Sequence, residues 1–550
     1  MITDSTAEPD LRAVRARWRQ ASRHQPPAVL RIGLLASYTI DPLVPYLGIG
    51  LHDAGLPATF GVGPFNQITQ QCLDDDSDMA RLRPDVLVVA PRFDELGPPA
   101  ACGGWADELM CLADIALDAA GRWRSCLVFV LPAVPESRPC GIGDAGSPGG
   151  VMAAAATARE AVRRALAGRP GVCLADAEEA VRAVGAARAL APALFQFAKI
   201  PYTEELFAGL GAQLGRLLRV RYGRGHRVAV IDADSLVLAG GEGVADREAM
   251  VSALRSPLLD LHAAGVRLAL RGSGAAGSAW EVLAAGFPEL LRGLLEGWVL
   301  DDRSAADQLR TIAAEAGESV GALLLVTTDP VLAAEIGTRP DQGRAVVLGE
   351  QPESWPAELR AAGLFDQAPE PVAGPPPTTA APAPRAKPAA SLADFVASLN
   401  VVVTHVPVGP GNVDKVAELV ERAKDFTLGN RHSAADIAQR ADELLALAVR
   451  DRLGEYGISA AVGMRVAAGV CAVDLFSVSC PVLGKEVEDA VLAEVVERAA
   501  RAGCDTVVVG CRDTGVNTAA LRFLRAAAAR DWTAGSGQAV RVRVELGQRD

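Results

Sequence analysis

Short apolar runs alternate with segments of helical periodicity along the first part of the chain. The runs at residues 29–36, 86–91 and 125–132 are almost wholly aliphatic, which is typical of parallel strands buried on both faces of a sheet. Residues 107–120 and 151–167 place apolar side chains at helical spacing between or after these runs. The pattern predicts an α/β domain over residues 28–219.

A second series of strands and helices follows this domain. Its predicted elements are strand 226–232, helix 248–264, strand 266–270, helix 278–285, helix 304–316 and strand 322–327. Because strands and helices alternate, we expect a separate doubly wound α/β unit over residues 220–367.

Residues 368–391 are rich in Pro and Ala and contain hardly an aliphatic anchor, so we expect a semi-extended tether there. A third set of elements follows the tether. It comprises predicted helices 392–399, 413–423, 433–447 and 487–502 and predicted strands 400–406, 458–467, 471–480 and 506–510. This order predicts a mixed α+β domain over residues 392–550.

Charge and composition exclude several classes of function. The 550 residues carry a net charge of -13, which argues against electrostatic capture of nucleic acid or of an anionic membrane. No uncharged apolar run reaches the length of about 18 residues that a membrane span needs, and the first residues lack the layout of a signal peptide. We therefore expect no membrane association and a cytoplasmic location. The ten cysteines contain no C-x-x-C pair, so neither a zinc site nor a disulfide framework is indicated.

Two aspartates stand where the predicted strand 226–232 runs out. Asp232 and Asp234 are spaced at i and i+2, so the alternation of a strand would direct both carboxylates toward the same crevice. Such a pair can bind Mg²⁺ and supply a nucleophile. The alternative is a helix cap and a loop carboxylate.

The two aspartates, followed by Gly240-Gly241, resemble the haloacid-dehalogenase-type domain of FkbH-like proteins. Further similarity to that family lies in Ser37-Tyr38-Thr39, Gly63-Pro64-Phe65, Arg83-Pro84-Asp85, Pro201-Tyr202, Asp451-Arg452-Leu453-Gly454-Glu455-Tyr456-Gly457, Ser479-Cys480, Val482-Leu483-Gly484 and Asn517. The resemblance covers residues 28–530 in family order. It implies an SGNH-like α/β domain, a haloacid-dehalogenase-like doubly wound domain and a GNAT-like α+β domain.

The resemblance also implies a function. FkbH-like proteins commonly take a glycolytic acyl phosphate, remove its phosphate and deliver the glyceryl unit to the phosphopantetheine thiol of an acyl carrier protein. The family supplies a Ser, a Lys and a pair of acidic residues for the phosphate and the metal, and this chain departs from all three. Gly272 stands at the Ser position with Ser273 beside it, Arg303 or Ala305 lies where the Lys is expected, and Thr327-Thr328 replaces the acidic pair.

These departures predict weak Mg²⁺ binding and a pseudo-phosphatase in which Asp232 and Asp234 remain as structural or ligand-binding carboxylates. A second interpretation keeps Asp232 as the nucleophile, with Asp329 as a displaced metal ligand and Arg303 as a clamp on the phosphate. Ser273 is a candidate substrate-binding residue that would substitute for the family's Ser if its loop shifts.

The outer domains offer weaker candidates. Ser37 occupies the place of an SGNH nucleophile, but no histidine lies between His52 and His226 to serve as its base, so we expect a structural hydroxyl. In the third domain Gly484 remains from the family's cofactor loop, and Lys485 is a candidate to meet a phosphate as a point charge.

Cys480 and Asn517 complete the set of candidates. Cys480 is interpreted as an acyl-accepting nucleophile whose pKa a nearby helix N-terminus would lower, with a buried packing thiol as the alternative. Asn517 resembles a family position that faces the pantetheine arm, and a turn-stabilising side chain is its alternative.

The sequence therefore predicts a divergent FkbH-like protein of polyketide or related natural-product biosynthesis. It would transfer or present a small acyl unit to an acyl carrier protein, with phosphatase activity lost. A docking scaffold without catalysis and a Mg²⁺-dependent phosphatase with rearranged motifs are the two alternatives.

Overall fold

The computed structural model describes residues 10–23, 28–97, 104–223, 225–235, 244–274, 295–336, 344–349, 351–366, 391–430 and 432–547. The predicted helix 278–285, the Gly240-Gly241 pair and the tether as far as residue 390 lie outside them. Three β-sheets organise the described residues, two of them wholly parallel and one mixed. A mixed α/β architecture with parallel sheets is thus confirmed, while the predicted domain boundaries stay predictions.

The first sheet has five parallel strands in the spatial order β2-β1-β3-β4-β5. Its elements in chain order are α1 (Leu11–Arg23), β1 (Leu30–Ala36), α2 (Val44–Asp53), β2 (Ala58–Val62), α3 (Ile68–Leu73), α4 (Asp78–Leu82), β3 (Val86–Ala90), α5 (Gly104–Trp123), β4 (Cys126–Leu131), α6 (Val151–Leu166), β5 (Val172–Asp176), α7 (Ala177–Val184), α8 (Ala186–Ala189), α9 (Pro192–Ala198) and α10 (Glu204–Arg221). The strand order reverses between β1 and β3, because β2 lies on one side of β1 and the later strands lie on the other. Ligands of such sheets bind at the carboxyl ends of the strands at this point.

The second sheet is also parallel, in the order β10-β9-β6-β7-β8. Its elements are β6 (Val228–Asp232), α11 (Val244–Ala263), β7 (Arg267–Gly272), β8 (Leu295–Leu300), α12 (Ala305–Ala316), β9 (Leu323–Thr327), α13 (Pro330–Ile336), β10 (Arg344–Val347) and α14 (Trp355–Ala361). Strand β6 is central and every residue in it is buried, which explains why its sequence is aliphatic up to the final aspartate. Helix α12 begins at a Ser304 cap, whose hydroxyl accepts the Asp307 N–H, and ends at Gly317 with φ +65°.

The third sheet has seven strands in the order β11-β12-β13-β14-β15-β17-β16. Its elements are α15 (Leu392–Leu399), β11 (Val402–Val406), α16 (Val413–Arg422), α17 (Ala434–Gln439), β12 (Leu444–Asp451), β13 (Gly454–Ala467), β14 (Val470–Val478), α18 (Val487–Arg501), β15 (Thr506–Arg512), α19 (Thr518–Ala528), β16 (Trp532–Thr533) and β17 (Ala539–Gly547). Strands β11 to β14 are antiparallel, and β14, β15 and β17 are parallel.

The predicted helix 433–447 is wrong in its second half. The helix starts with a capping box between Ser433 and Asp436 and ends at Gln439, and strand β12 begins at Leu444. Residues 444–447 are buried on both faces of the strand between β11 and β13. Burial in the sheet outweighs the helix propensity of a Leu/Ala-rich segment here.

The turn between β12 and β13 of the third sheet contacts elements of the first sheet. Arg452 pairs with the Glu108 carboxylate on α5, and both side chains are mostly buried. Gly97, with φ +82°, lies so close to Leu453 that an added Cβ would sit 3.3 Å from the Leu453 carbonyl oxygen. Among the described residues, no helix is both long enough and apolar enough to cross a bilayer.

Candidate functional site

Asp232 and Asp234 lie at the carboxyl edge of the second sheet, as the sequence predicts. Asp232 is the last residue of β6 and is 1% exposed, whereas the Asp234 side chain is 32% exposed. One guanidinium joins them. Arg271 donates from Nη1 to Asp232 Oδ1 at 2.6 Å and from Nη2 to Asp234 Oδ2 at 3.2 Å.

Arg271 is the residue of this site that sequence reasoning missed. It stands directly beside Asp232 in the register of β6 and β7, so the sheet itself brings the two side chains together. Its Nε donates to Gln308 Oε1 at 2.9 Å, and Gln308 in turn donates to the carbonyl oxygen of Gly272 at 2.8 Å. The available signal was an arginine at the end of the apolar run Leu268–Leu270, because a charge in a buried strand needs a buried partner.

The second oxygen of Asp232 is bound as well. Thr327, at the end of β9, donates from Oγ1 to Asp232 Oδ2 at 2.7 Å, and this hydroxyl lies 2.9 Å from Ser235 Oγ. Asp232, Thr327 and Ser235 are all buried. Asp232 is therefore a carboxylate with both oxygens held by the chain.

Asp234 is held from the neighbouring loop. The Ser273 N–H donates to its two oxygens at 3.1 and 2.8 Å, and the Ser273 hydroxyl donates to Oδ1 at 2.8 Å. Ser273, predicted to bind substrate, is thus placed on Asp234 instead. Counting Arg271, Asp234 accepts hydrogen bonds from three donor groups. The Arg271 cation offsets part of the negative charge of the two aspartates.

These residues do not fit a bound Mg²⁺. The ion prefers near-octahedral oxygen ligands, and the oxygens of both aspartates already accept hydrogen bonds from donors of the chain. The Arg271 guanidinium lies within hydrogen-bond distance of both carboxylates, so a divalent cation beside Asp232 would have to displace it. Over the described ranges, no cluster of three or more His, Cys, Asp and Glu side chains is placed to hold a metal.

Arg303 and Asp329, the clamp and metal ligand of the second interpretation, are engaged elsewhere. Arg303 is half exposed and donates from Nε to Asp301 at 2.8 Å and from Nη1 to Thr311 Oγ1 at 3.1 Å. Its hydrogen bond lowers the pKa of Asp301 to about 2. Asp329 Oδ1 accepts the N–H groups of Val331 and Leu332 and so caps the N-terminus of α13.

Lys485, which lies between β14 and α18, belongs to a buried cluster. Its ammonium donates to Asp451 Oδ2 at 2.7 Å and to the Tyr456 hydroxyl at 2.8 Å, and the Tyr456 hydroxyl donates to Asp451 Oδ1 at 3.0 Å. Burial lowers the pKa of Lys485, against the opposing effect of Asp451. Lys485 is 3% exposed, and its ammonium group is engaged in an internal ion pair.

Gly484 does not present a free phosphate cradle. Its N–H donates to the Glu488 carboxylate at 2.9 Å, which places an acidic group where a phosphate oxygen would be bound. Burial raises the pKa of Glu488. The predicted roles of Gly484 and Lys485 toward a phosphate therefore receive no support from the geometry.

Cys480 lies after the end of β14 and opens a short 3₁₀ turn. Its thiol is 3.3 Å from Asp425 Oδ2, and burial together with that carboxylate raises the pKa of Cys480 to about 12. The expected lowering of this pKa is wrong, because burial of the thiol, together with the Asp425 carboxylate beside it, disfavours the thiolate. Asp425 has no counterpart in the sequence motif and could not be paired with Cys480 from spacing alone.

Asn517 is fully buried and holds a turn. Its Oδ1 accepts the N–H of Thr514 at 2.9 Å, and its Nδ2 donates to the carbonyl oxygens of Thr427 and Arg512 at 2.9 and 2.8 Å. These contacts agree with the alternative interpretation, in which Asn517 stabilises a turn. Ser37 is likewise buried, and its Oγ accepts the Arg92 N–H at 2.7 Å.

Comparison with solved structures shows a likeness in fold. No model of a known protein family matches this chain, and no curated protein matches it in sequence. A crystal structure of the N-terminal part of the protein BF1531 from Bacteroides fragilis, which contains a phosphatase domain and is complexed with Mg, matches with a TM-score of 0.53 and 14% identity. The match covers 65% of this chain and 98% of that one. Over the matched part, the chain thus shares its fold with a protein that contains a phosphatase domain.

Proposed function

We propose that this protein is a divergent FkbH-like component of carrier-protein-dependent natural-product assembly. It binds and presents a small acyl unit, and its haloacid-dehalogenase-like domain does not hydrolyse phosphate esters or acyl phosphates. The lack of phosphate hydrolysis is inferred from one observation: the Arg271 guanidinium binds Asp232 at 2.6 Å and Asp234 at 3.2 Å.

Phosphoryl transfer in this type of domain requires a free carboxylate as nucleophile and a cation that faces the phosphate. Here the nucleophile position is bound by Arg271 and Thr327, and its charge is neutralised inside the chain. Removal of one oriented group typically costs about 2.7–4 kcal/mol of transition-state stabilisation. Loss of the metal site and the phosphate clamp together leaves little rate.

The likeness in fold to the BF1531 fragment, crystallised with Mg, supports descent from a magnesium-dependent phosphatase domain. In this account, the Arg271 side chain takes the place of the Mg²⁺ ion. Arg271 supplies a positive charge that compensates Asp232, but not the divalent cation that the reaction needs.

The motif likeness, from Ser37-Tyr38-Thr39 to Asn517, supports an acyl carrier protein as the partner and its phosphopantetheine arm as the ligand. Presentation is favoured over covalent transfer, because the raised pKa of Cys480 keeps its thiol protonated near neutral pH. The acyl donor of the family is a glycolytic acyl phosphate, which this protein would bind without cleaving.

A paired assay tests this proposal. The purified protein is incubated with Mg²⁺ and acetyl phosphate while phosphate release is followed, and its affinity for a glyceryl-loaded carrier protein is compared with that for the carrier lacking its arm. We expect no phosphate release above buffer and tighter binding of the loaded carrier. A carrier that gains acyl mass from an acyl phosphate, with loss of this gain in Cys480→Ser, would overturn the proposal.

A further inference from the structure

Strand β17 leaves one edge of the third sheet open. Its residues 541–547 pair with β15 on one side, whereas on the other side β16 pairs only with Ala539 and Val540. Among the residues that the structure describes, no strand pairs with the side of residues 541–547 that faces away from β15. We name this stretch the open edge of β17.

The backbone of the open edge directs hydrogen-bonding groups away from β15 at every second residue. The Arg541 N–H donates to the carbonyl oxygen of Asp505, which directly precedes β15. Because backbone groups alternate along a strand, Val542, Val544 and Leu546 direct their N–H and C=O groups toward the open side. Such a row of groups is a template for a further strand, and within the open edge neither a proline nor a bulge interrupts it.

The apolar face of this strand is covered only at its beginning. Val540 and Val542 are 2% and 3% exposed, Val544 is partly buried, and Leu546 is 52% exposed. Exposure therefore rises along the open edge. A strand added at this edge would flank Leu546 and remove part of its apolar surface from water.

The charges of the open edge make it complementary to itself. Arg543 and Glu545 lie on the opposite, exposed face of β17 and form an ion pair in which both side chains are more than half exposed. If a second copy pairs antiparallel about a two-fold axis at Val544, the middle of residues 541–547, Arg543 of each copy lies opposite Glu545 of the other. Opposite charges at such positions stabilise a strand pair.

The same axis satisfies the backbone. Val544 then lies opposite Val544 of the second copy, and Val542 lies opposite Leu546, so the residues with groups on the open side form the hydrogen-bonded pairs. Arg543 and Glu545 form the pairs without hydrogen bonds, in which the side chains of antiparallel strands lie closer together. Backbone and charge thus select one register.

Neighbouring registers lose this match. An axis at Arg543 sets that arginine opposite itself, and an axis at Glu545 does the same for the glutamate. An axis at Val542 sets Arg541 opposite Arg543 and also requires Val540, which already pairs with Trp532 of β16. Like charges directly opposite each other destabilise a sheet.

We propose that the open edge of β17 joins two copies of this chain in an antiparallel, two-fold symmetric contact centred on Val544. The third sheet then continues from one copy into the other, and both copies use the same surface. Because a single pair of strands forms a small contact, the dimer dissociates on dilution.

Sedimentation equilibrium of the full chain tests this proposal. From low micromolar to several hundred micromolar protein, the molar mass should rise from that of one chain toward that of two. Arg543→Glu and Glu545→Arg each set like charges opposite each other at two symmetric positions, so each should weaken the dimer about tenfold or more. The double variant Arg543→Glu/Glu545→Arg restores opposite charges and should dimerise as the wild type does.

Two further variants locate the contact. Arg541→Glu is the matched control, because it reverses a charge on the same face of β17 at a position opposite Gly547 of the second copy. It should leave the dissociation constant almost unchanged. Val544→Pro removes an N–H that points away from β15, so circular dichroism should show a folded protein that stays monomeric.

Three results would overturn the proposal. The first is a wild type that remains monomeric at every concentration. The second is a dimer that Arg543→Glu and Val544→Pro leave intact, since it would form through another surface. The third is a dimer that Arg541→Glu weakens, or that the double variant does not restore, since its register would not pair Arg543 with Glu545.

Discussion

The guanidinium of Arg271 and the carboxylate of Asp232 form a 2.6 Å ion pair between two neighbouring central strands of the second sheet. The side chains are 9% and 1% exposed. At this burial an ion pair gives the fold little net stability, yet loss of one partner is costly, because the remaining charge stays uncompensated. The pair therefore explains how the charge of the buried Asp232 carboxylate is compensated by the chain itself.

Replacement of Arg271 by Met should destabilise the protein strongly. The buried Asp232 carboxylate would keep only the Thr327 hydroxyl, and we expect the free energy of unfolding to fall by about 3–5 kcal/mol. Urea unfolding followed by circular dichroism measures the change. Arg303→Ala, which removes an exposed ion pair, is the matched control and should leave the free energy of unfolding almost unchanged.

A double variant separates charge from packing. Addition of Asp232→Asn to Arg271→Met removes the uncompensated charge, so the double variant should be more stable than the single Arg271→Met variant. If Asp232→Asn instead lowers the free energy of unfolding by the same amount in the wild type and in Arg271→Met, the two side chains do not interact. The account of this site is then wrong.

His226 should make stability depend on pH. It is buried beside Arg219, whose Nη1 donates to His226 Nε2 at 3.1 Å, and burial followed by the charges of Arg219 and Arg344 lowers its pKa from 6.5 to about 3. The unfolded chain therefore binds more protons than the folded protein between these values, and stability is lost as the pH falls from about 6.5 toward 3.

Urea unfolding at a series of pH values between 4 and 7 measures this loss. In His226→Gln the part of the pH dependence that His226 causes, of the order of a few kcal/mol over the whole window, should disappear. His262→Gln changes an exposed histidine and should leave the profile as in the wild type. An unchanged profile in His226→Gln would show that this histidine does not govern it.

Cys480 should react slowly with alkylating agents. With its pKa raised to about 12 by burial and Asp425, only about one thiol in ten thousand is ionised at pH 8, and the thiolate is the reactive form. Peptide mass spectrometry after brief treatment with iodoacetamide should find Cys140, which is exposed, modified at least a hundredfold faster. Asp425→Asn should speed the reaction of Cys480, and equal rates in the two proteins would contradict the role given to Asp425.

Lys485 should stabilise the fold around the third sheet. Lys485→Met leaves the Asp451 side chain, 0% exposed, without its cation and should cost about 3–5 kcal/mol of stability. Tyr456→Phe removes only the hydroxyl that donates to Asp451 and should cost about 1 kcal/mol. Thermal unfolding ranks the two variants, and a Lys485→Met protein as stable as the wild type would refute the assignment.

The sequence predicted those parts of the fold whose pattern is local. The aliphatic runs that became β1, β3, β4 and β6 are buried on both faces, so their composition alone indicates parallel strands. Strand β2 was missed because its five residues include Gly61 and are mostly half exposed, which removes the aliphatic signal.

The candidate site was predicted only in part, for a related reason. The position of Asp232 at the end of a strand is local information, but its partners come from β7 and β9, 39 and 95 residues away. The register that sets Arg271 beside Asp232 depends on the whole sheet. Spacing along the chain could show which catalytic residues were absent, but not which side chain had taken their place.

Release of inorganic phosphate is the most direct test of the central claim. The initial rate is measured with p-nitrophenyl phosphate and with acetyl phosphate, at several Mg²⁺ concentrations, for the wild type and for Asp232→Asn. The ion pair of Arg271 with Asp232 predicts that both proteins match the buffer rate and that Mg²⁺ has no effect. A magnesium-dependent rate in the wild type that Asp232→Asn abolishes would contradict it.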